Sequence, residues 1–230
     1  MSPKNRQADV TRSCSTPALP ANWPPEIKYL TDQTCTTAVT PEQQSTLGRP
    51  SPDSENLQKI PASSIKVPYP WLSITTIYEP PTHPARGQRG LFAAQDLPPN
   101  SFICLYLGLV HTNDAADTDP SSNYDLAFDR EAGLSIDATH HGNESRMAND
   151  YRGISERPNA EFRDVLVQVP CAKRAGGVKW ERRVAIFVLS AGRAGKRKVG
   201  VRAGEEVLVS YGKGFWDSRR DAGLLNEVDR

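Results

Sequence analysis

The chain has 230 residues, a length that holds one domain of ordinary size plus an extension rather than two full domains. Hydrophobic residues make up 37%, low enough to imply that part of the chain does not pack, and the net charge of +1 supplies no bulk field toward nucleic acid or anionic membrane. The four cysteines, Cys14, Cys35, Cys104 and Cys171, form no CxxC pair or Cys/His cluster, which argues against a structural zinc site and against a disulfide framework.

In chain order, residues 1–10 are polar and lack the apolar core of a signal peptide. No apolar run approaches the roughly 20 residues of a membrane helix. A soluble protein in a reducing, intracellular compartment is therefore expected, without metal or membrane contact. Fourteen of the 19 prolines precede residue 85, and residues 1–64 show no sustained apolar periodicity. Such a segment cannot bury enough surface to offset the entropy of ordering it, so residues 1–66 are expected to be a disordered or loosely packed tail. From Trp71 onward the pattern changes to short β-rich runs at 72–78, 90–94, 102–110, 124–128, 134–137, 161–169, 184–190 and 206–211. Pro98-Pro99-Asn100 and Ala203-Gly204 punctuate them as turns. Helix is expected only at 143–149 and 215–227, the latter with a weak stripe at Leu224 and Leu225. The expected fold is mainly β with some α, built of several small curved sheets, with its core at 67–212 and a short C-terminal helix within 213–230.

Four ordered segments carry candidate chemistry. The first is Arg89-Gly90-Leu91-Phe92-Ala93, followed by Tyr106-Leu107-Gly108. The second is Tyr124-Asp125-Leu126-Ala127-Phe128, leading to Ile136-Asp137-Ala138. The third runs from Gly142-Asn143 through Arg146-Met147-Ala148-Asn149-Asp150-Tyr151 to Pro158-Asn159. The fourth is Gly204-Glu205-Glu206-Val207-Leu208-Val209-Ser210-Tyr211-Gly212. In their order and spacing these blocks resemble the signatures of SET-domain protein-lysine methyltransferases.

The resemblance implies a SET-domain β-clip with a knot-like C-terminal threading, S-adenosylmethionine as cofactor, and a protein substrate whose lysine is methylated. Histone tails are the family's commonest targets. By the same resemblance Tyr211 is the catalytic tyrosine and Tyr124 lines the lysine channel. Gln88, Arg89, Gly90, Tyr106, Arg146, Asn149, Asp150, Tyr211 and Trp216 make up the expected cofactor set. Asn149 suits the grip on the donor because its amide both donates and accepts. Phe215 and Trp216 are expected either to cover the cofactor or channel, in place of the cysteine-rich segment common in the family, or to serve only the hydrophobic docking of their helix.

Several positions depart from the family pattern. Gln88 stands where the first turn glycine is usual, with Gly87 displaced by one. Leu105 replaces an acidic residue, and Asp150-Tyr151 replaces His-Ser. Val209 falls where a Phe or Tyr often influences how many methyl groups are added. These departures leave an alternative, a SET fold that binds without catalysing. A monomer in the nucleus or cytoplasm is expected, and nucleic-acid contact is confined to Lys196, Arg197 and Lys198 at most. His140-His141 would point to opposite faces of an extended chain, a poor geometry for one metal.

The chemistry sets a demand on the site. A lysine with a pKa of about 10.4 must lose its proton before it attacks, which at pH 7 costs about 4.6 kcal/mol. A narrow apolar channel lowers that cost by disfavouring the ammonium, and alignment can contribute about 7–11 kcal/mol more.

Overall fold

The computed structural model describes residues 18–49, 56–171, 177–192 and 198–221. Among the described residues, the strands form two four-stranded sheets and three strand pairs. One sheet runs Gln58–Ile60, Ala160–Pro170, Val178–Val188, Phe102–Leu105; the other runs Thr34–Cys35, Leu109–Thr112, Leu134–Asp137, Asp125–Asp129. Leu72–Thr76 pairs antiparallel with Arg89–Ala93, Lys28–Tyr29 pairs parallel with His141–Gly142, and Asn149–Asp150 pairs parallel with Leu208–Val209. The central core joins Leu91, Ile103, Cys104, Ile186, Val188 and Val209, drawn from four of these elements.

The run expected as one strand over 102–110 is two strands separated by Tyr106-Leu107-Gly108. The chain crosses there from one four-stranded sheet to the other. Gly108 makes the crossing possible, because a Cβ on it would lie 2.6 Å from the Asp137 carbonyl oxygen. The turn at Pro98-Pro99-Asn100 is present, with Asn100 at φ +64°, a conformation that Asn tolerates better than most residues. The segment expected as helix at 143–149 holds a single 3₁₀ turn, Glu144–Met147, before the chain becomes extended. The C-terminal helix spans Lys213–Asp221; Leu224 and Leu225 lie outside the described residues, as do Lys196 and Arg197.

The expectation of a loose tail does not hold for residues 18–49 and 56–66. Their strands enter three sheets, and Trp23, Ile27, Leu30, Val39, Leu47 and Ile60 are buried. These apolar residues are spaced too irregularly to show periodicity, since they are shared out in pairs among three separate parts of the core. A helix, Pro41–Thr46, begins with a capping box formed by Thr40 and Gln43.

The C-terminal threading is built from hydrogen bonds on both sides of one segment. Leu208–Val209 pairs with Asn149–Asp150. Asn159, beyond the intervening loop, donates through Nδ2 to the Glu206 carbonyl (2.7 Å) and accepts at Oδ1 from the Leu208 N–H (2.8 Å). The segment carrying Tyr211 is thus enclosed by the 149–159 loop.

Candidate active site

Two adjoining hollows share the Tyr211 side chain. A cleft of about 570 Å³ is bounded by the turn before Arg89–Ala93, by residues 146–154 and by the C-terminal helix; Gln88, Arg89, Asn149, Asp150 and Trp216 lie in its wall. A narrow channel of about 90 Å³ is walled by Tyr106, Tyr124, Phe162, Tyr211 and Phe215. Tyr124, Arg146, Tyr211 and Phe215 border both spaces.

Tyr211 is held at three points. Its hydroxyl donates to the Ala148 carbonyl at 2.9 Å, its backbone N–H donates to Asp150 Oδ2 at 2.7 Å, and its ring meets Phe215 edge-on at 4.8 Å. Burial, with Tyr124 and Asp150 nearby, pushes its phenol well above the usual range. Such a phenol stays neutral, and because its proton is committed to Ala148 the oxygen keeps its lone pairs for an acceptor role. Tyr106 donates its hydroxyl to the Tyr124 carbonyl at 2.7 Å and stacks edge-on against Phe162. The Arg146 guanidinium lies 4.2 Å from the centre of the Tyr124 ring and donates through Nε to the Ala138 carbonyl at 2.7 Å. A fixed cation therefore stands at the junction.

The remaining expected site residues fall into different places. Gln88 and Arg89 face the cleft. Gly90 does not: a Cβ there would lie 2.7 Å from Glu206 Oε1 and 2.9 Å from Ile77 Cδ1, so this glycine makes room for a carboxylate. The glycine in the cleft wall is Gly87, at φ +82°, where an added Cβ would meet nothing within 4 Å. Tyr106, expected beside the cofactor, lines the channel instead. Val209 is fully buried in the central core and is not among the channel-lining residues.

Asp150 acts as a brace. Its Oδ1 accepts from the Arg152 N–H (2.9 Å), and its Oδ2 accepts from Tyr211 N–H and from Trp216 Nε1 (3.3 Å). Both oxygens thus carry protein donors, and the carboxylate ties the C-terminal helix to the tyrosine segment. Phe215 borders both hollows, Trp216 borders the cleft, and the Arg219 guanidinium lies 3.4 Å from the centre of the Phe215 ring.

Two residues near the cleft with largely shielded side chains, His83 and Glu206, were not indicated as site residues by the sequence pattern. Glu206 accepts from Asn149 Nδ2 at 2.7 Å through Oε1 and contacts His83 Nε2 at 3.0 Å through Oε2. Glu206 stands inside the fourth block, but nothing in that block points to His83. Pro24, Glu26 and Ile27 also line the cleft, from a segment that carries no motif. Among the described residues, no group of three or more His, Cys, Asp or Glu side chains is placed to hold a metal ion. None of the described helices is long and apolar enough to cross a membrane.

A β-rich fold with a threaded C-terminal segment and a cleft meeting an aromatic channel defines a class, and the chain belongs to it: the family model described as SET domain matches residues 88–212, and this protein is a member of the SET-domain family. Members of that family are lysine methyltransferases that use S-adenosylmethionine. Among particular relatives, the human histone-lysine N-methyltransferase EHMT1 is 29% identical over 130 residues, which are 56% of this chain and 8% of that protein. An active polycomb repressive complex 2 in the stimulated state aligns at 22% identity over 62% of this chain and 15% of that one, with a TM-score of 0.41. The complex ctPRC2 in an autoinhibited conformation bound to S-adenosylmethionine aligns at 21% identity over 65% of this chain and 17% of that one, with a TM-score of 0.43. The chain thus spans a small fraction of each of these relatives.

Proposed function

We propose that this protein is an S-adenosylmethionine-dependent protein-lysine N-methyltransferase, acting as a monomer in the nucleus or cytoplasm on a protein substrate such as a histone tail. The observation that carries the reading is the junction at Tyr211, where one half-buried, neutral tyrosine borders both a ligand-sized cleft and a narrow aromatic channel. The cleft volume lies within the range of about 300–1,000 Å³ usual for small-molecule sites. Its wall fits the donor's chemistry: flat aromatic surface at Phe215 and Trp216, an amide at Asn149, and guanidinium groups at Arg89, Arg146 and Arg152 for a carboxylate. These residues would hold the cofactor, which when bound supplies a methyl group made electrophilic by a sulfonium.

The protein's own residues prepare the nucleophile. Tyr106, Tyr124, Phe162 and Phe215 wall the lysine stem away from water. The apolar wall, together with the fixed Arg146 cation, disfavours the ammonium and so favours loss of its proton. Tyr211 directs the neutral amine with its free lone pairs and does not act as a base, since its own proton is held by the Ala148 carbonyl. Asp150 keeps Tyr211 in register with the helix that closes the cleft.

The test is transfer of labelled methyl groups to histones, nucleosomes and a whole-cell extract, with Tyr211→Phe run alongside. Labelling by the wild type and a loss of roughly 10²-fold or more in the variant are expected, because a misaligned reacting pair loses about that much. Donor affinity should change little. A wild-type protein that binds no S-adenosylmethionine by calorimetry would sink the reading in favour of a non-catalytic SET fold.

A further inference from the structure

His83 lies outside the matched SET segment, in the turn that precedes Arg89–Ala93, and is 4% exposed. Its Nδ1 receives the Ala85 backbone N–H at 3.1 Å. A backbone N–H can only donate, so Nδ1 is the acceptor and Nε2 carries the proton. That proton points at Glu206 Oε2, 3.0 Å away, on a carboxylate whose side chain is only 9% exposed. The other oxygen, Oε1, receives Asn149 Nδ2 at 2.7 Å. Gly90 lies against this carboxylate and leaves it the space it needs.

We propose that His83, as its neutral Nε2–H tautomer, is a positioning residue of the donor cleft: it fixes Glu206, and Glu206 sets the orientation of the Asn149 amide. Resting on the methyltransferase reading, this deepens it. The chain of contacts ties three walls of the cleft together: the turn holding Pro84, Ala85, Gly87 and Gln88, the Asn149–Asp150 strand, and the segment running from Glu206 to Tyr211. With Nδ2 committed to Glu206, the Asn149 amide cannot flip, and its oxygen is presented in one orientation to a donor group in the cleft. Without His83 the buried carboxylate loses a partner and turns toward another donor, taking Asn149 with it.

Two substitutions separate positioning from simple support of the turn. His83→Gln places an amide N–H near the Nε2 position and keeps the contact to Glu206. His83→Asn places an acceptor near Nδ1, keeps the Ala85 bond and falls short of Glu206. Binding of S-adenosylhomocysteine, measured by titration calorimetry, should weaken about tenfold in His83→Asn and stay within about threefold of wild type in His83→Gln. In an Asn149→Ala background, His83→Asn should weaken binding no further, since the effect passes through Asn149. Equal affinities in both variants, or the reverse order, would overturn the proposal while leaving the methyltransferase reading intact. A wild-type protein that binds no S-adenosylhomocysteine would overturn both. Imidazole ¹⁵N shifts of the unsubstituted protein give a check that needs no variant: a protonated Nδ1 on His83 would also overturn it.

Discussion

Glu144 shows how a single residue can tie distant parts of this chain while resisting the ionised form. It is 1% exposed, accepts the Tyr29 hydroxyl at 2.9 Å and the Tyr69 backbone N–H at 2.9 Å, and sits in the 3₁₀ turn that leads to Asn149. Burial raises its carboxyl above the ordinary value, although the hydrogen bonds to Tyr69 and Tyr29 oppose the shift. The sign follows from proton uptake. A group whose folded pKa lies above its unfolded one binds more protons in the native state across that interval, so stability falls as pH rises from about 4.3 through the folded pKa and is level above it. Glu144→Gln removes this dependence, so its stability relative to wild type should improve as pH is raised through that window. Denaturant titrations between pH 4 and 8 would measure the difference; a pH-independent gap would contradict the assignment. Tyr211, Tyr124 and Asn149 were legible at this scale because each stands in an unbroken block of sequence. The pairing of His83 with Glu206 was not, because the hydrogen bond spans 123 positions.

At the scale of the element, the C-terminal helix brings two aromatic side chains to the hollows. Its sequence offers little apolar stripe, yet Phe215 and Trp216 at its start reach the hollows, and Trp216 bonds to the same carboxylate that holds Tyr211. Trp216→Ala removes both an aromatic wall and a donor to Asp150. Donor affinity is expected to fall about tenfold, a loss of about 1.4 kcal/mol, with only a minor change in melting temperature. Fluorescence or calorimetric titration would read the first and thermal unfolding the second. Unchanged affinity would assign the helix to docking alone. The third block behaves similarly. Its spacing suggested a helix, but Asn143 is buried and spends its amide on Leu105 and Leu107 backbone groups, which holds the chain in a short turn before it runs extended into Asn149.

For the whole molecule, the segment before the matched domain is part of the fold. Trp23, Ile27, Leu30, Val39, Leu47 and Ile60 are buried, and burying a large apolar side chain contributes about 1.5–3 kcal/mol. Six such side chains together rival the entire net stability of a typical domain, about 5–15 kcal/mol. Polar ties add to this: Tyr29 to Glu144, Gln33 Nε2 to the Gly108 carbonyl at 2.7 Å, and Arg89 Nε to the Asn22 carbonyl at 3.0 Å. A fragment of residues 67–230 is therefore expected not to fold cooperatively, whereas 18–230 should. Thermal unfolding followed by circular dichroism would compare them, and a sharp transition in the shorter fragment would show that the leading segment is dispensable.

The sequence by itself determined the β-rich class and the family, and its blocks hold Tyr106, Tyr124, Asn149 and Tyr211, which border the two hollows, because those properties are written in contiguous blocks and short-range turn chemistry. Tertiary structure alone decided that residues 18–66 supply core and cleft wall, that Gly87 rather than Gly90 faces the cleft, that Tyr106 belongs to the channel, and that Asp150 is a brace. The physical reason is common to all four. Burial and hydrogen bonding join residues far apart in the chain, and a residue's partner across that distance leaves no periodic mark in the sequence around it.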